Sequence, residues 1–371
     1  MLTAHDKVAV SDLIRPGIGD SEKEPRQRMN CAALIENPRF LPMDFRDNLQ
    51  SIRIVEMSLQ AFKASVFLDE RVVPYRAERY DVPIECFIDA LPRLGATRGR
   101  YIFHGGFACS TLLARYLELS DSCFVLKEPF ILTRLAFLAP QFSFDPLLHV
   151  RWKTCLSVAT HLLARPFHGR TAVVKLADVG GLIGADLMSA TPYSSGLCLT
   201  SVVSEFVIAV LKDPARREWI MLRLALSHQS PGVHKFPDAV YSEARYSPGR
   251  SAALYWLANH LLMDRMCTST LPKTTAMAAT LVAESPRDAL QRSARSLDLP
   301  ISKPEINAML DNSVGRSYSK KPGLPFCASD RRARHSESAK EFALELDDAV
   351  SWVKTVFREC GAALSDGDYG L

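Results

Sequence analysis

The chain reads as an α/β protein, a parallel sheet flanked by helices and built around a phosphate-binding loop, with a mostly helical N-terminal lead-in. Three observations predict this. From residue 100 onward, short apolar runs alternate with stretches whose apolar residues recur at helical spacing, as expected of strands covered on both faces by helices. One strand-to-helix passage, YIFHGGFACSTLLARYLEL, turns on two adjacent glycines. Finally, 371 residues with 47% apolar and 23% charged side chains are enough to bury a large core.

Residues 1–98 form an accessory region without an evident chemical motif. Its charges and prolines (PRQRMN, VVPYRAERYDVP) suit segments wrapped on a main body. The P-loop domain, 99–371, opens with Tyr101, Ile102 and Phe103 as a strand, and a helix over 110–119 carries Leu112, Leu113, Tyr116 and Leu117 on one face. Further strands are expected at 123–126, Thr171–Lys175, 196–200 and 280–283. Helices are expected over 128–138, 149–165, 179–190, 202–212, 251–267, 286–297 and 336–359. The stretch 229–250 reads as loop, and 311–334 as a polar, basic segment broken by prolines and a glycine.

The loop at 104–111 carries the chemistry. A buried strand enters Gly105-Gly106 and leaves through a helix whose first turn holds Ser110 and Thr111. Amides there have no helical partner and the helix dipole adds positive charge, so phosphate or sulfate suits the site. The alternative is a tight turn capped by Ser110. The Walker pattern GxxxxGK(S/T) is absent, and no lysine or arginine lies between His104 and Thr111. ATP chemistry of the usual kind loses its main neutralising side chain.

A formal net charge of +4 argues against a general nucleic-acid binder. Nine cysteines without a C-x-x-C pair argue for reduced thiols and against a structural metal site. No basic start precedes an apolar block, and no apolar run approaches membrane-spanning length, so a cytoplasmic location is expected.

The segment from 100 to 325 resembles the sulfotransferase family. Cys109-Ser110-Thr111-Leu112-Leu113 matches the end of that family's phosphate loop, with Phe107 where a basic residue is common. Lys127-Glu128-Pro129, the strand TAVVK ending at Lys175, the Thr191-Pro192 turn and LVAESPRDALQRSARSLDLPIS follow in the family's order. Ser319-Lys320-Lys321-Pro322-Gly323 stands where a basic loop closes over the cofactor. The resemblance implies a nucleotide donor, 3′-phosphoadenosine 5′-phosphosulfate, a small-molecule or glycan acceptor, and no metal. His104, Gly105, Gly106, Phe107, Ala108, Cys109, Ser110 and Thr111 would hold the 5′-phosphate. Ser201 and Ala209 occupy the positions where the family carries an arginine and a serine for the 3′-phosphate. Asp178 and Val179 occupy the region of a histidine common in the family.

Candidate catalytic groups are Lys127 and Lys175, as neutralising charges, and Glu128 as base at a strand's carboxyl edge. Glu128 has the alternative of complementing a helix dipole, His104 that of a structural histidine, and Cys109 that of a small packing residue rather than a thiol activated by the helix. Lys320 and Lys321, with Arg316, either clamp a 3′-phosphate or form a solvated loop. Arg331, Arg332 and Arg334 read as a solvated linker and helix start, and Tyr255 and Trp256 as core. Three functions stay open: a sulfuryl-transferring enzyme, a non-catalytic nucleotide- or partner-binding protein, and another P-loop phosphotransferase.

Overall fold

The computed structural model describes residues 31–69, 77–91, 98–191, 193–230, 233–269, 273–312, 314 and 328–359. Before residue 99 these form α1 (Cys31–Glu36), β1 (Phe40–Arg46), β2 (Ser51–Glu56), α2 (Leu59–Ala64), β3 (Arg79–Pro83) and α3 (Ile84–Ile88). The strands pair antiparallel in the order β1-β2-β3. Among its described residues the lead-in therefore holds a small antiparallel sheet beside its short helices. In β2, Ile52 and Ile54 are buried while Arg53 is half-buried and pairs across the sheet with Asp81, a period of two. In β1 the run Leu41–Phe45 is buried on both faces, and such runs cannot be told from helix by periodicity.

The second part runs β4 (Arg100–His104), α4 (Ser110–Leu117), β5 (Cys123–Lys127), α5 (Phe130–Phe142), α6 (Pro146–Leu163) and β6 (Thr171–Lys175). After a 3-10 turn over Asp178–Ile183 come α7 (Gly184–Ala190), β7 (Ser195–Thr200), α8 (Val203–Leu211), α9 (Pro214–Gln229), α10 (Asp238–Arg245) and α11 (Pro248–Thr268). The chain continues with β8 (Thr274–Ala278), α12 (Ala279–Glu284), α13 (Pro286–Ser296), α14 (Lys303–Asp311), α15 (Ala328–Glu341) and α16 (Ala343–Glu359). Four helices start where a side-chain cap precedes a first-turn proline: Asp145 for α6, Asp213 for α9, Ser247 for α11, and Ser302, in a capping box with Glu305, for α14.

The strands form one parallel sheet in the order β5-β6-β4-β7-β8, confirming the α/β class. β4 is central, so the loop that follows it lies where the strand order reverses, the place at which open α/β sheets bind ligands. Ile102, Val125, Val173, Leu197, Leu199 and Met277 share one face, packed against Leu112 and Leu113 of α4 and Ala289 and Leu290 of α13.

Three expectations are revised. The strand at 280–283 is α12, and the last strand is TTAMA, an edge strand too exposed to carry a strong apolar signal. The stretch 229–250 contains α10, and the helix α9 precedes it. The helix at 336–359 is two helices, α15 and α16.

Arg165, just past α6, ties the small sheet to the large one. It donates to the carbonyls of Leu34 and Ile35 at 2.8 Å, Asn37 at 3.1 Å, and Phe40 and Leu162 at 2.6 Å. Burial pushes its guanidinium down to about 9. Three of these acceptors lie at the C-terminal end of α1, where free carbonyls favour a cation. Arg165→Met should cost at least about 3 kcal/mol, because several buried carbonyls lose their donor at once. Urea unfolding measures this, and a loss below about 1 kcal/mol would mean the carbonyls find other donors.

Candidate functional site

The loop after β4 is shaped by backbone conformation. Gly106, Phe107 and Cys109 have φ of 107°, 52° and 53°. Left-handed residues in such a turn curl successive N–H groups toward a common centre. The amides of Ala108, Cys109, Ser110 and Thr111 donate to no protein acceptor among the described residues. Ser110 and Thr111 are buried, at 5% and 6% exposure, and their hydroxyls likewise lack a protein partner there. Cys109, not Ser110, is the residue before α4, and it makes no side-chain cap. The arrangement is a concave set of donors without an acceptor.

His104 holds this shape through both ring nitrogens. Its Nε2 donates to the carbonyl of Leu176 at 2.9 Å, which leaves Nδ1 to accept from the Gly106 amide at 3.1 Å. The imidazole therefore braces the loop against the end of β6. Phe107 packs between Phe206 and Trp219, and the Arg216 guanidinium lies 4.9 Å above its ring. Asn259 of α11 closes against Gly105, where a Cβ would stand 3.3 Å from Asn259 Cβ.

The charges of the site come from neighbouring strands. Lys175, 1% exposed, ends β6 and forms an ion pair with Glu128. Glu128 precedes α5 with φ of 53°, and its amide donates to the Lys175 carbonyl at 2.6 Å. It stands two residues before α5. Phe67, from the accessory region, sits 5.7 Å from the Lys175 ammonium. Beside this pair Arg223 of α9 makes a bidentate pair with Asp178, at 2.6 and 3.3 Å, and Tyr255 donates to the same carboxylate at 3.3 Å. Burial opposes the Arg223 charge, but Asp178, Tyr255 and Glu128 outweigh it and raise its pKa. Burial, then Asp178, pushes the Tyr255 phenol upward as well.

Two cations and two carboxylates thus balance at the carboxyl edge. Sequence reasoning found Lys175 and Glu128 and missed Arg223, placing Tyr255 only in the core. The signal for Arg223 lay in its separation from Asp178 by a strand and two helices, which no local pattern records.

Lys127 is placed elsewhere. Its ammonium pairs with Glu118 at 2.7 Å and donates to the Lys63 carbonyl at 3.3 Å, at the far end of α4 from the loop. Ser201 lies past β7, its carbonyl accepting from Trp256 Nε1 at 2.7 Å, beside a cavity of about 10 Å³ that also touches Gly105. Ala209 is buried in α8, and its carbonyl accepts from Arg216 at 2.8 Å. Lys320, Lys321, Arg316 and Pro192 lie outside the described residues. Arg331 and Arg332 lie near the start of α15, pairing with Glu205 at 3.0 Å and Glu284 at 2.9 Å around a cavity of about 370 Å³.

No family model and no curated protein matches the chain. Among solved structures it is similar to a sulfotransferase domain from the curacin biosynthetic pathway, with 9% identity and a TM-score of 0.38 over 72% of this chain and 99% of that one. It is also similar to the sulfotransferase STF9 from Mycobacterium avium, with 10% identity and a TM-score of 0.38 over 70% of this chain and 80% of that one. No helix among the described residues is long and apolar enough to cross a membrane.

Cys109 is a half-buried thiol whose pKa is raised by burial, with Arg331 pulling it down and Glu205 and Glu284 pushing it up. The activated thiol considered from the sequence is thereby replaced by a sluggish one. At pH 8 its alkylation by iodoacetamide should run at least roughly tenfold slower than that of a free thiol, since only the thiolate reacts. Pulsed labelling with mass spectrometry checks this, and a rate matching glutathione would contradict the packing described.

Proposed function

We propose that this chain transfers a sulfuryl group from 3′-phosphoadenosine 5′-phosphosulfate to a hydroxyl or amine of a small-molecule or glycan acceptor. The observation behind this reading is one juxtaposition: a loop whose amides and hydroxyls have no partner among the described residues follows β4, which pairs with β6, and β6 ends in the Lys175–Glu128 pair. A sulfuryl group in transfer carries less negative charge than a phosphoryl group, so it needs fewer cations. A loop without a lysine, flanked by one buried ammonium, suits that demand better than phosphoryl transfer.

The donor, when bound, supplies a sulfuryl group activated by its anhydride bond to phosphate. The amides of 108–111 with the Ser110 and Thr111 hydroxyls would hold the phosphate end. Lys175 would neutralise sulfuryl oxygens, and Glu128 would accept the proton of the attacking group. Arg223, fixed by Asp178, would add charge at the same edge. Lys320 and Lys321 remain proposed as the closing cations. Lys127 drops out of this scheme because Glu118 and the Lys63 carbonyl occupy it. A second reading, a non-catalytic nucleotide-binding protein, is favoured by Ser201 and Ala209, neither of which brings charge to a 3′-phosphate.

Glu128→Gln keeps shape and removes the proton acceptor. Turnover on the best acceptor should fall by roughly 10²–10⁴, and nucleotide affinity should stay within a few-fold. Unchanged turnover would assign Glu128 only to holding Lys175. Nucleotide binding without any sulfuryl transfer across a broad acceptor panel would favour the second reading.

Calorimetry tests the donor. With Ser201 and Ala209 in place, adenosine 3′,5′-bisphosphate should bind no more than roughly 100-fold tighter than adenosine 5′-phosphate. A preference of a thousandfold or more would mean that other cations hold the 3′-phosphate.

A further inference from the structure

We infer that the turn joining α5 to α6 docks the protein onto an anionic lipid surface. Among the described residues nine large apolar side chains are exposed, and four of them fall between 144 and 150: Phe144 at 86%, Leu147 at 81%, Leu148 at 41% and Val150 at 63%. Scattered exposed apolar residues need no explanation, but a cluster does. Residues 144–148 are all exposed, so the feature projects rather than forming a groove. Four side chains on a projection offer less than the roughly 800 Å² per partner that a stable protein interface buries. A penetrable surface accepts them without that requirement.

Charge points the same way. Leu147 and Arg151, four apart, lie one above the other on α6, and Val150 and Lys153 are three apart. Both cations stand one turn inward from the tip, where long stems let charged heads reach lipid phosphates while the apolar residues enter the acyl boundary. The one carboxylate at the tip, Asp145, caps α6 through the amides of Leu147 and Leu148 at 2.8 and 3.3 Å, and its charge is set against the helix N-terminus. Lys153 has Asp186 3.9 Å away, with both side chains largely exposed.

The tip is connected to the candidate site through α5. Phe137 of that helix lies 5.3 Å beneath the Arg223 guanidinium, and Phe144 follows about two helical turns later. Docking at the tip would hold the carboxyl edge of the sheet near the headgroups, within reach of an amphiphilic acceptor. The inference stands whether or not the reaction proposed above is correct.

Co-sedimentation of the full chain with vesicles tests it. Vesicles of phosphatidylcholine with about 30 mol% phosphatidylserine should carry down the wild type, and pure phosphatidylcholine should carry down less. The double variant Phe144→Asp/Leu147→Asp should lose at least roughly tenfold in partitioning to either vesicle. Arg151→Glu/Lys153→Glu should lose binding to the anionic vesicles alone. Phe144→Trp provides a readout that keeps an apolar tip, because its emission should shift to the blue on adding anionic vesicles. A wild type that stays in the supernatant with both vesicles, or an aspartate variant that binds like the wild type, overturns the inference. So does light scattering that shows Phe144-dependent self-association without vesicle binding, which would make a second copy of the chain the occupant.

Discussion

The buried ammonium of Lys175 is the charge around which the candidate site is arranged. An uncompensated ion at 1% exposure would cost several kcal/mol, so a carboxylate must be brought to it. Glu128 meets that need by leaving helical geometry, with φ of 53° and its amide bound to the Lys175 carbonyl. That bend ends β5, starts α5 two residues later and directs α5 past Asp178 and Arg223. The backbone link and the ion pair reinforce each other, since each fixes the geometry of the other. A left-handed glutamate is strained, and such strain persists only where surrounding bonds determine it.

The loop reaches a complementary result with no charged side chain. Its donors are amides turned inward by three left-handed residues, two of them with side chains that disfavour the conformation. His104 bridging Gly106 to Leu176 and the aromatic packing of Phe107 supply the restraint. Preformed donors need little reorganisation when an anion arrives, which favours both tight binding and stabilisation of developing charge. Cationic charge is then supplied from β6 and α9 rather than from within the loop.

The accessory region belongs to this arrangement. Its chain crosses the end of β5, where the Leu68 amide donates to the Lys127 carbonyl and Phe130 donates back to Leu68. The same stretch places Phe67 beside Lys175 and the Lys63 carbonyl beside Lys127. Arg165 anchors the region from the other side by collecting carbonyls that α1 leaves open. The stretch from Lys63 to Leu68 thus packs against the ends of β5 and β6.

The sequence alone determined the alternation of strands and helices after residue 100, the glycine turn after β4 and the positions of Lys175 and Glu128 at strand ends. These features rest on local periods, local breakers and buried runs such as YIF and TAVVK, all readable over a few residues. The small antiparallel sheet was hidden because β1 is buried on both faces, and β8 because an edge strand shows little apolar bias. Only the tertiary structure decided that Lys127 serves Glu118 while Lys175 serves Glu128, although both lysines end parallel strands in matching register. It also decided that Arg223 joins Asp178 and that His104 bridges the Gly106 amide and the Leu176 carbonyl. A side chain's partner depends on which elements pack against its strand end, and that is set by contacts between residues tens of positions apart, where periodicity carries no information.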